Sequence, residues 1–168
     1  MMERTKSKKM KQYDFVIVGG SAAGIQAAIV AQRQRQVESI LVIREEQKVL
    51  VPCGIPYIYG TLGAVGRNTI PDTLLGNAEL LIDRVVSIDR EAHTITTFEV
   101  GTIGYKKLLL ATGSVPVEPP IPGLSLENVF FVKKEQQYLN SLREAMAEAQ
   151  RLVIIGGGFI GVEFADEC

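Results

Sequence analysis

A short apolar run that ends in a glycine turn and opens a small-residue helix occurs twice in this chain, and the repeat limits the fold more than any other feature. The first copy is Asp14-Phe15-Val16-Ile17-Val18, followed by Gly19-x-Ser21-x-x-Gly24 and a helical stretch from Ala22 to Gln32. The second is Leu152-Val153-Ile154-Ile155, followed by Gly156-x-Gly158-x-x-Gly161. Gly19 and Gly24 recur as Gly156 and Gly161 at one offset. Each copy reads as strand, tight turn and helix. A second apolar run, Ile40 to Ile43, completes a βαβ unit around the first copy, because parallel strands need a crossover between them. Two dinucleotide folds in series are implied.

The chemistry of such a turn follows from its backbone. The first glycine makes the turn, the second lets a pyrophosphate approach the main chain, and the third lets helix and strand pack. The free N–H groups of the helix N-terminus then face the phosphates. Gly156-x-Gly158-x-x-Gly161 meets this pattern in full, with Phe159 and Ile160 inside it. In the first copy Ser21 replaces the middle glycine, and Ala22 and Ala23 fill the remaining positions. An acidic residue is expected at the end of the next strand to hold a ribose hydroxyl. Glu45 and Glu46 lie near that place with Arg44 just before them, and which of the three faces the ribose is open at this level.

Between the two copies the chain changes character. Pro52, Gly54, Pro56, Gly60, Gly63 and Gly66 punctuate a loop with room for a short helix. Four strands are expected at 80–82, 85–88, 93–98 and 106–110, the middle pair forming a hairpin that turns at Asp89-Arg90-Glu91. Pro116, Pro119, Pro120 and Pro122 mark a linker, and Leu139, Leu142 and Met146 give the apolar stripe of a helix within 133–150. The expected organisation is a basic disordered tail over 1–12, a first dinucleotide domain over 13–118, a linker and helix over 119–150, and an incomplete second domain over 151–168. The fold class is α/β, a Rossmann-like domain with an added β-meander, followed by the first strand, turn and helix of another.

Charge and cysteine content exclude other classes. A net charge of −1 argues against a general nucleic-acid binder, although Arg4, Lys6, Lys8, Lys9 and Lys11 against Glu3 make the first eleven residues +4 and leave −5 elsewhere. No apolar run approaches a membrane span or a signal peptide, so a cytoplasmic protein without a membrane partner is expected. Cys53 and Cys168 are too few for a disulfide framework, and no metal-ligand spacing occurs. His93, the only histidine, is read as structural or exposed, and Cys168 as packing or a terminus.

Cys53 is the candidate nucleophile. It stands in Val51-Pro52-Cys53-Gly54-Ile55-Pro56-Tyr57, where a helix starting at the prolines would favour the reactive thiolate. Position 58 is Ile58, so there is no CxxxxC partner, and the thiol acts alone or with a substrate thiol.

Taken together, the segment Val16 to Gly24, the Cys53 to Tyr57 segment, Leu109-Leu110-Ala111-Thr112-Gly113-Ser114-x-Pro116, and the stretch Gly156 to Glu163 resemble the flavoprotein disulfide reductases. The single-cysteine branch, with coenzyme A disulfide reductase, NADH peroxidase and NADH oxidase, is the most similar. By that resemblance the first turn, with Gly19, Ser21, Ala22, Ala23, Gly24 and Glu45, holds FAD. Ala111, Thr112 and Gly113 close against it, and the backbone near Val86 meets the adenine. Gly156, Gly158, Phe159, Ile160 and Gly161 hold NAD(P)H, and Glu163 lies near the flavin. The resemblance implies electron flow from NAD(P)H through flavin to Cys53, which reduces a small-molecule disulfide or persulfide such as one of coenzyme A. An oxidase or peroxidase cycle through a Cys53 sulfenate is one alternative, and a truncated, non-catalytic remnant is the other. Full-length members are expected to be homodimers and to continue beyond the point where this chain stops, and Arg44 departs from the family's acidic position.

Overall fold

The computed structural model describes residues 10–34 and 37–168. Residues 1–9, which carry most of the expected basic tail, lie outside the described residues. The chain divides into two compact units, one formed by the chain up to Gln47 with Asp72–Thr112, the other by Lys48–Pro71 with Gly113–Cys168.

The first unit is an α/β layer around a six-stranded sheet. Its strands are β1 (Gln12–Val18), β2 (Ile40–Arg44), β5 (Glu79–Ile82), β6 (Val85–Asp89), β7 (Thr94–Thr97) and β8 (Gly101–Leu110), in the order β5-β2-β1-β8-β7-β6. β5, β2, β1 and β8 run parallel, whereas β8, β7 and β6 form an antiparallel meander. Helix α1 (Ala22–Arg33) makes the crossover between β1 and β2. β1 begins inside the stretch expected to be a disordered tail, because Gln12 already pairs with Gly104.

A central parallel strand is covered on both faces, which is why β1 and β2 read as unbroken apolar runs. Val16, Ile17 and Val42 have no exposed surface, and Leu41 and Ile43 are buried beside them. Each such side chain stabilises the fold by about 1.5–3 kcal/mol relative to exposure. Asp83 fastens the link between β5 and β6 to the β7–β8 turn of the meander: its carboxylate accepts the backbone N–H groups of Arg84, Glu99 and Val100 at 2.7–3.1 Å. Burial pushes its pKa up, but the bonds from Thr97 and these amides outweigh that and bring it down to about 2. At the hairpin tip, Asp89 Oδ1 accepts the amides of Glu91 and Ala92.

The second unit contains β3 (Val49–Leu50) paired antiparallel with β4 (Thr69–Ile70), helix α2 (Gln136–Ala147) and helix α3 (Phe159–Glu167). Leu50, Ile55, Ile58 and Val65 from the loop pack with Leu139 of α2 and Phe164 of α3 into one buried cluster. Tyr59 adds a tilted ring contact to Phe164, with centroids 5.1 Å apart.

The short helix for which the loop has room takes the form of three separate 3-10 turns, Pro52–Gly54, Pro56–Ile58 and Val65–Arg67. Prolines and glycines spaced every few residues break any longer run of i to i−4 bonds. The strand expected at Leu152-Val153-Ile154-Ile155 is not formed, and Val153 and Ile155 are 82% and 76% exposed. An apolar run becomes a strand only where a neighbour takes its backbone hydrogen bonds, and no ladder among the described residues includes it.

Candidate functional site

The first glycine turn is built by close backbone contact. Gly19 has φ +109°, a conformation that disfavours any side chain, and a Cβ there would stand 2.1 Å from the carbonyl oxygen of Ala111. Ala111 is held beside the turn by its N–H, which donates to Val18 O at 2.7 Å, while Gly19 N–H donates to Ile43 O at 2.8 Å. The carboxyl ends of three parallel strands, β1, β2 and β8, therefore meet at Gly19. A Cβ on Gly24 would lie 1.8 Å from Gly19 O, so glycine there lets α1 descend onto the turn. Ser21 is the extended residue before α1, and Ile25 N–H closes the first helical bond to Ser21 O at 2.9 Å. The exposed Ala22 and Ala23 lie in the first helical turn, whose amides have no partner within the helix.

At the strand end, Arg44 turns inward. Its side chain is 1% exposed, Nε donates to Glu46 O at 2.7 Å, and Nη2 donates to Gln47 O at 2.9 Å and pairs with Asp72 Oδ1 at 2.7 Å. Gly20 packs on its aliphatic stem, where a Cβ would meet Arg44 Cδ at 2.7 Å. Nη1 is buried without a hydrogen-bond partner among the described residues. Glu45 and Glu46 are exposed. Val86 is 53% exposed and sits at a register shift between β6 and β7.

The second turn repeats the first in the second unit. Gly156 has φ +125°, and a Cβ on Gly161 would lie 1.9 Å from Gly156 O. Gly158 is the extended residue before α3, and Val162 N–H bonds to Gly158 O at 3.0 Å. Phe159 is 90% exposed and Ile160 is exposed too, while Glu163 is half-buried. Open space surrounds the positions where side chains on Gly156, Gly157 and Gly158 would project. In both turns the backbone cradle that a Cβ would fill suits a dinucleotide pyrophosphate.

Cys53 is exposed in the 3-10 turn Pro52–Gly54 and forms no disulfide. The helix that begins here is a single 3-10 turn. Ile58, at the place where a second redox cysteine would stand, has no exposed surface. The turn is instead gripped by Asn68, a residue that sequence reasoning passed over. Asn68 is 3% exposed, its Nδ2 donates to Val51 O at 3.0 Å, and its own carbonyl accepts Val51 N–H at 3.0 Å. Its only signal in the sequence was an asparagine in a glycine-rich loop, which indicates a turn residue as readily as a buried clamp. Cys168 is also unpaired, and partial burial together with the Glu167 charge pushes its thiol pKa up. His93 is exposed, with φ +52°, in the turn before β7, and stacks on Tyr105 at 5.5 Å. Among the described residues no three His, Cys, Asp or Glu side chains gather as a metal site, and no helix is long and apolar enough to cross a membrane.

A glycine turn at the carboxyl ends of parallel strands, with the same glycine-on-glycine contact repeated ahead of a second helix, defines a dinucleotide-binding class. The family model described as pyridine nucleotide-disulphide oxidoreductase matches residues 13–168, and the chain belongs to that family. Its members are FAD-dependent enzymes that use NAD(P)H. The chain is 30% identical over 166 residues to an NADH oxidase of Enterococcus faecalis, covering 90% of this chain and 36% of the relative. It is 32% identical over 168 residues to an NAD(P)H coenzyme A polysulfide/persulfide reductase of Pyrococcus horikoshii, with the same two coverages of 90% and 36%. Among solved structures, an NAD-dependent persulfide reductase from A. fulgidus superposes with TM-score 0.78 at 30% identity, covering 92% of this chain and 31% of that one. The chain thus spans about a third of the length of these relatives.

Proposed function

We propose that this chain carries the FAD turn, the nicotinamide turn and the redox thiol of an NAD(P)H-dependent reductase of low-molecular-weight disulfides or persulfides, coenzyme A derivatives included. The observation that carries the reading is the recurrence in one chain of two turns in which the third glycine rests on the first, Gly19 to Gly24 and Gly156 to Gly161, together with an exposed, unpaired thiol at Cys53. The first turn, with Ser21, Ala22, Ala23 and the backbone of Ala111 and Thr112, would hold the FAD pyrophosphate. Gly113, Glu45 and the main chain at Val86 are its further candidate contacts. The second turn, with Phe159 and Ile160, would hold NAD(P)H, and Glu163 would lie toward the flavin. FAD, when bound, supplies two-electron transfer between nicotinamide and sulfur.

Cys53 performs the sulfur chemistry. Its thiolate attacks one sulfur of the substrate disulfide, the S–S bond breaks, and the departing thiolate takes a proton from solvent. Two electrons that entered from NAD(P)H then cleave the mixed disulfide, releasing the second thiol and restoring the Cys53 thiolate. Relatives named for coenzyme A polysulfide or persulfide reduction and for persulfide reduction support this substrate class.

The test is a Cys53→Ser variant of the complete enzyme. NAD(P)H-dependent reduction of coenzyme A disulfide should fall to background while the flavin spectrum is kept. Full activity in that variant would rule out Cys53 as the thiol. The Enterococcus faecalis NADH oxidase favours a second reading, in which Cys53 cycles through a sulfenic acid. NADH-driven oxygen or peroxide consumption without added disulfide would select it.

A further inference from the structure

We propose that Asn68 is the positioning residue for Cys53, fixing where the thiolate stands when it meets a sulfur–sulfur bond. The inference rests on the reading of Cys53 as the redox thiol. Its basis is the way one buried side chain holds the turn on both sides of that residue.

The turn that bears Cys53 has little to stiffen it. It is three residues long and is closed by Gly54 N–H donating to Val51 O at 3.0 Å. A single 3-10 turn with bonds of this kind is weak by itself. Asn68 supplies the stiffness. Its Nδ2 donates to the same Val51 oxygen at 3.0 Å, and its carbonyl oxygen accepts Val51 N–H at 3.0 Å, so both backbone polar groups of Val51 are held by one residue. On the other side, Asn68 Oδ1 stands 2.0 Å from where a Cβ on Gly54 would be. Glycine at 54 is therefore what admits the amide against the turn. Asn68 thus touches the residue two before Cys53 and the residue one after it.

The grip is anchored. Asn68 directly precedes β4, whose Thr69 pairs with Leu50 of β3, and Leu50 belongs to the buried cluster with Leu139 and Phe164. An amide that only satisfied a buried carbonyl would need one contact; this one has a donor bond on one side and a steric fit on the other. Attack on a disulfide requires the thiolate to approach along the S–S axis, and an error of about 1 Å in such an approach can cost about 100-fold in rate.

The experiment uses the whole chain with Cys168→Ser, so that Cys53 is the sole thiol. Three readouts are compared: the rate of mixed-disulfide formation with coenzyme A disulfide, the rate of alkylation by iodoacetamide, and the mobility of a nitroxide attached to Cys53. Iodoacetamide is a small reagent that reaches an exposed thiol from many directions. Asn68→Ala should slow mixed-disulfide formation by about 10-fold or more, change alkylation by less than about twofold, and free the nitroxide. Gly54→Ala, which displaces the amide, should give the same split, and the double variant should be no worse than either single one. The same fractional slowing of both reactions, or an unchanged nitroxide spectrum in both variants, overturns the role of Asn68. A parental chain that is alkylated but never forms the mixed disulfide overturns the redox reading of Cys53 instead.

Discussion

Gly24 rests directly on Gly19: a Cβ at residue 24 would lie 1.8 Å from the carbonyl oxygen of residue 19, and Gly161 repeats the relationship on Gly156 at 1.9 Å. Backbone, not a movable side chain, is the obstacle in both cases. Gly24→Ala should therefore cost about 1–3 kcal/mol of stability through overpacking, and FAD binding should be lost with the shape of the turn. Gly66→Ala is the control, because nothing lies within 4 Å of the added methyl. Urea titration and quenching of flavin fluorescence measure the two effects, and equal affinity in both variants would count against a cofactor role for this turn.

Arg44 is a clamp whose partners are two backbone carbonyls and one partly exposed carboxylate. Arg44→Met keeps the packing under Gly20 but removes the donors to Glu46 O and Gln47 O. A loss of about 1–3 kcal/mol is expected from removing these charge-assisted hydrogen bonds together with the ion pair to Asp72. Arg44→Glu should lose more, since it sets a carboxylate against those carbonyls and Asp72. Urea midpoints of the two variants, taken at one pH, check the order.

Acid should weaken the meander through Asp83. Its folded pKa of about 2 lies below the ordinary 3.8, so its contribution is fully present above pH 4 or so and is lost as pH falls toward 2. The slope of unfolding free energy against pH in that window should flatten in Asp83→Asn, which also loses stability near neutrality because an amide cannot replace the carboxylate as acceptor for three N–H groups. An unchanged slope would show that other carboxylates govern acid unfolding.

Leu139 has no exposed surface and sits in the cluster beneath the cysteine loop. Leu139→Ala should destabilise by about 2–5 kcal/mol. Amide hydrogen exchange should show the lost protection concentrated in residues 48–71 and in α2 and α3. Protection lost evenly over β1 and β2 would contradict that localisation.

Much of the fold was legible because its signals are local. The run Phe15 to Val18 and the spacing of Gly19 and Gly24 are imposed by one strand and one turn, so five or six neighbouring residues announce the crossover. The meander strands were legible too, although β8 extends back to Gly101, since its pairing with β1 and β7 and not its own apolar residues sets its length. What was hidden depends on distant partners. Arg44 showed in the sequence only as a departure from an acidic position, because Asp72, which pairs with it, lies 28 residues further along the chain. Leu152 to Ile155 read as a strand by hydropathy, yet a strand is a property of a pair. Asn68 was invisible because its meaning lies 17 residues away at Val51.

The cluster that joins Ile55, Ile58 and Val65 to Leu139 and Phe164 also sets an order of events at the ribosome. The polar lock between Asn68 and Val51 can close as soon as its own short loop emerges. Its apolar floor cannot, because Phe164 follows about a hundred residues later, roughly 5–20 seconds of translation. During that interval the nascent loop displays an accessible thiol above uncovered aliphatic side chains. The loop that bears Cys53 is therefore synthesised well before the chain that covers its apolar side chains, and its final packing waits on α3.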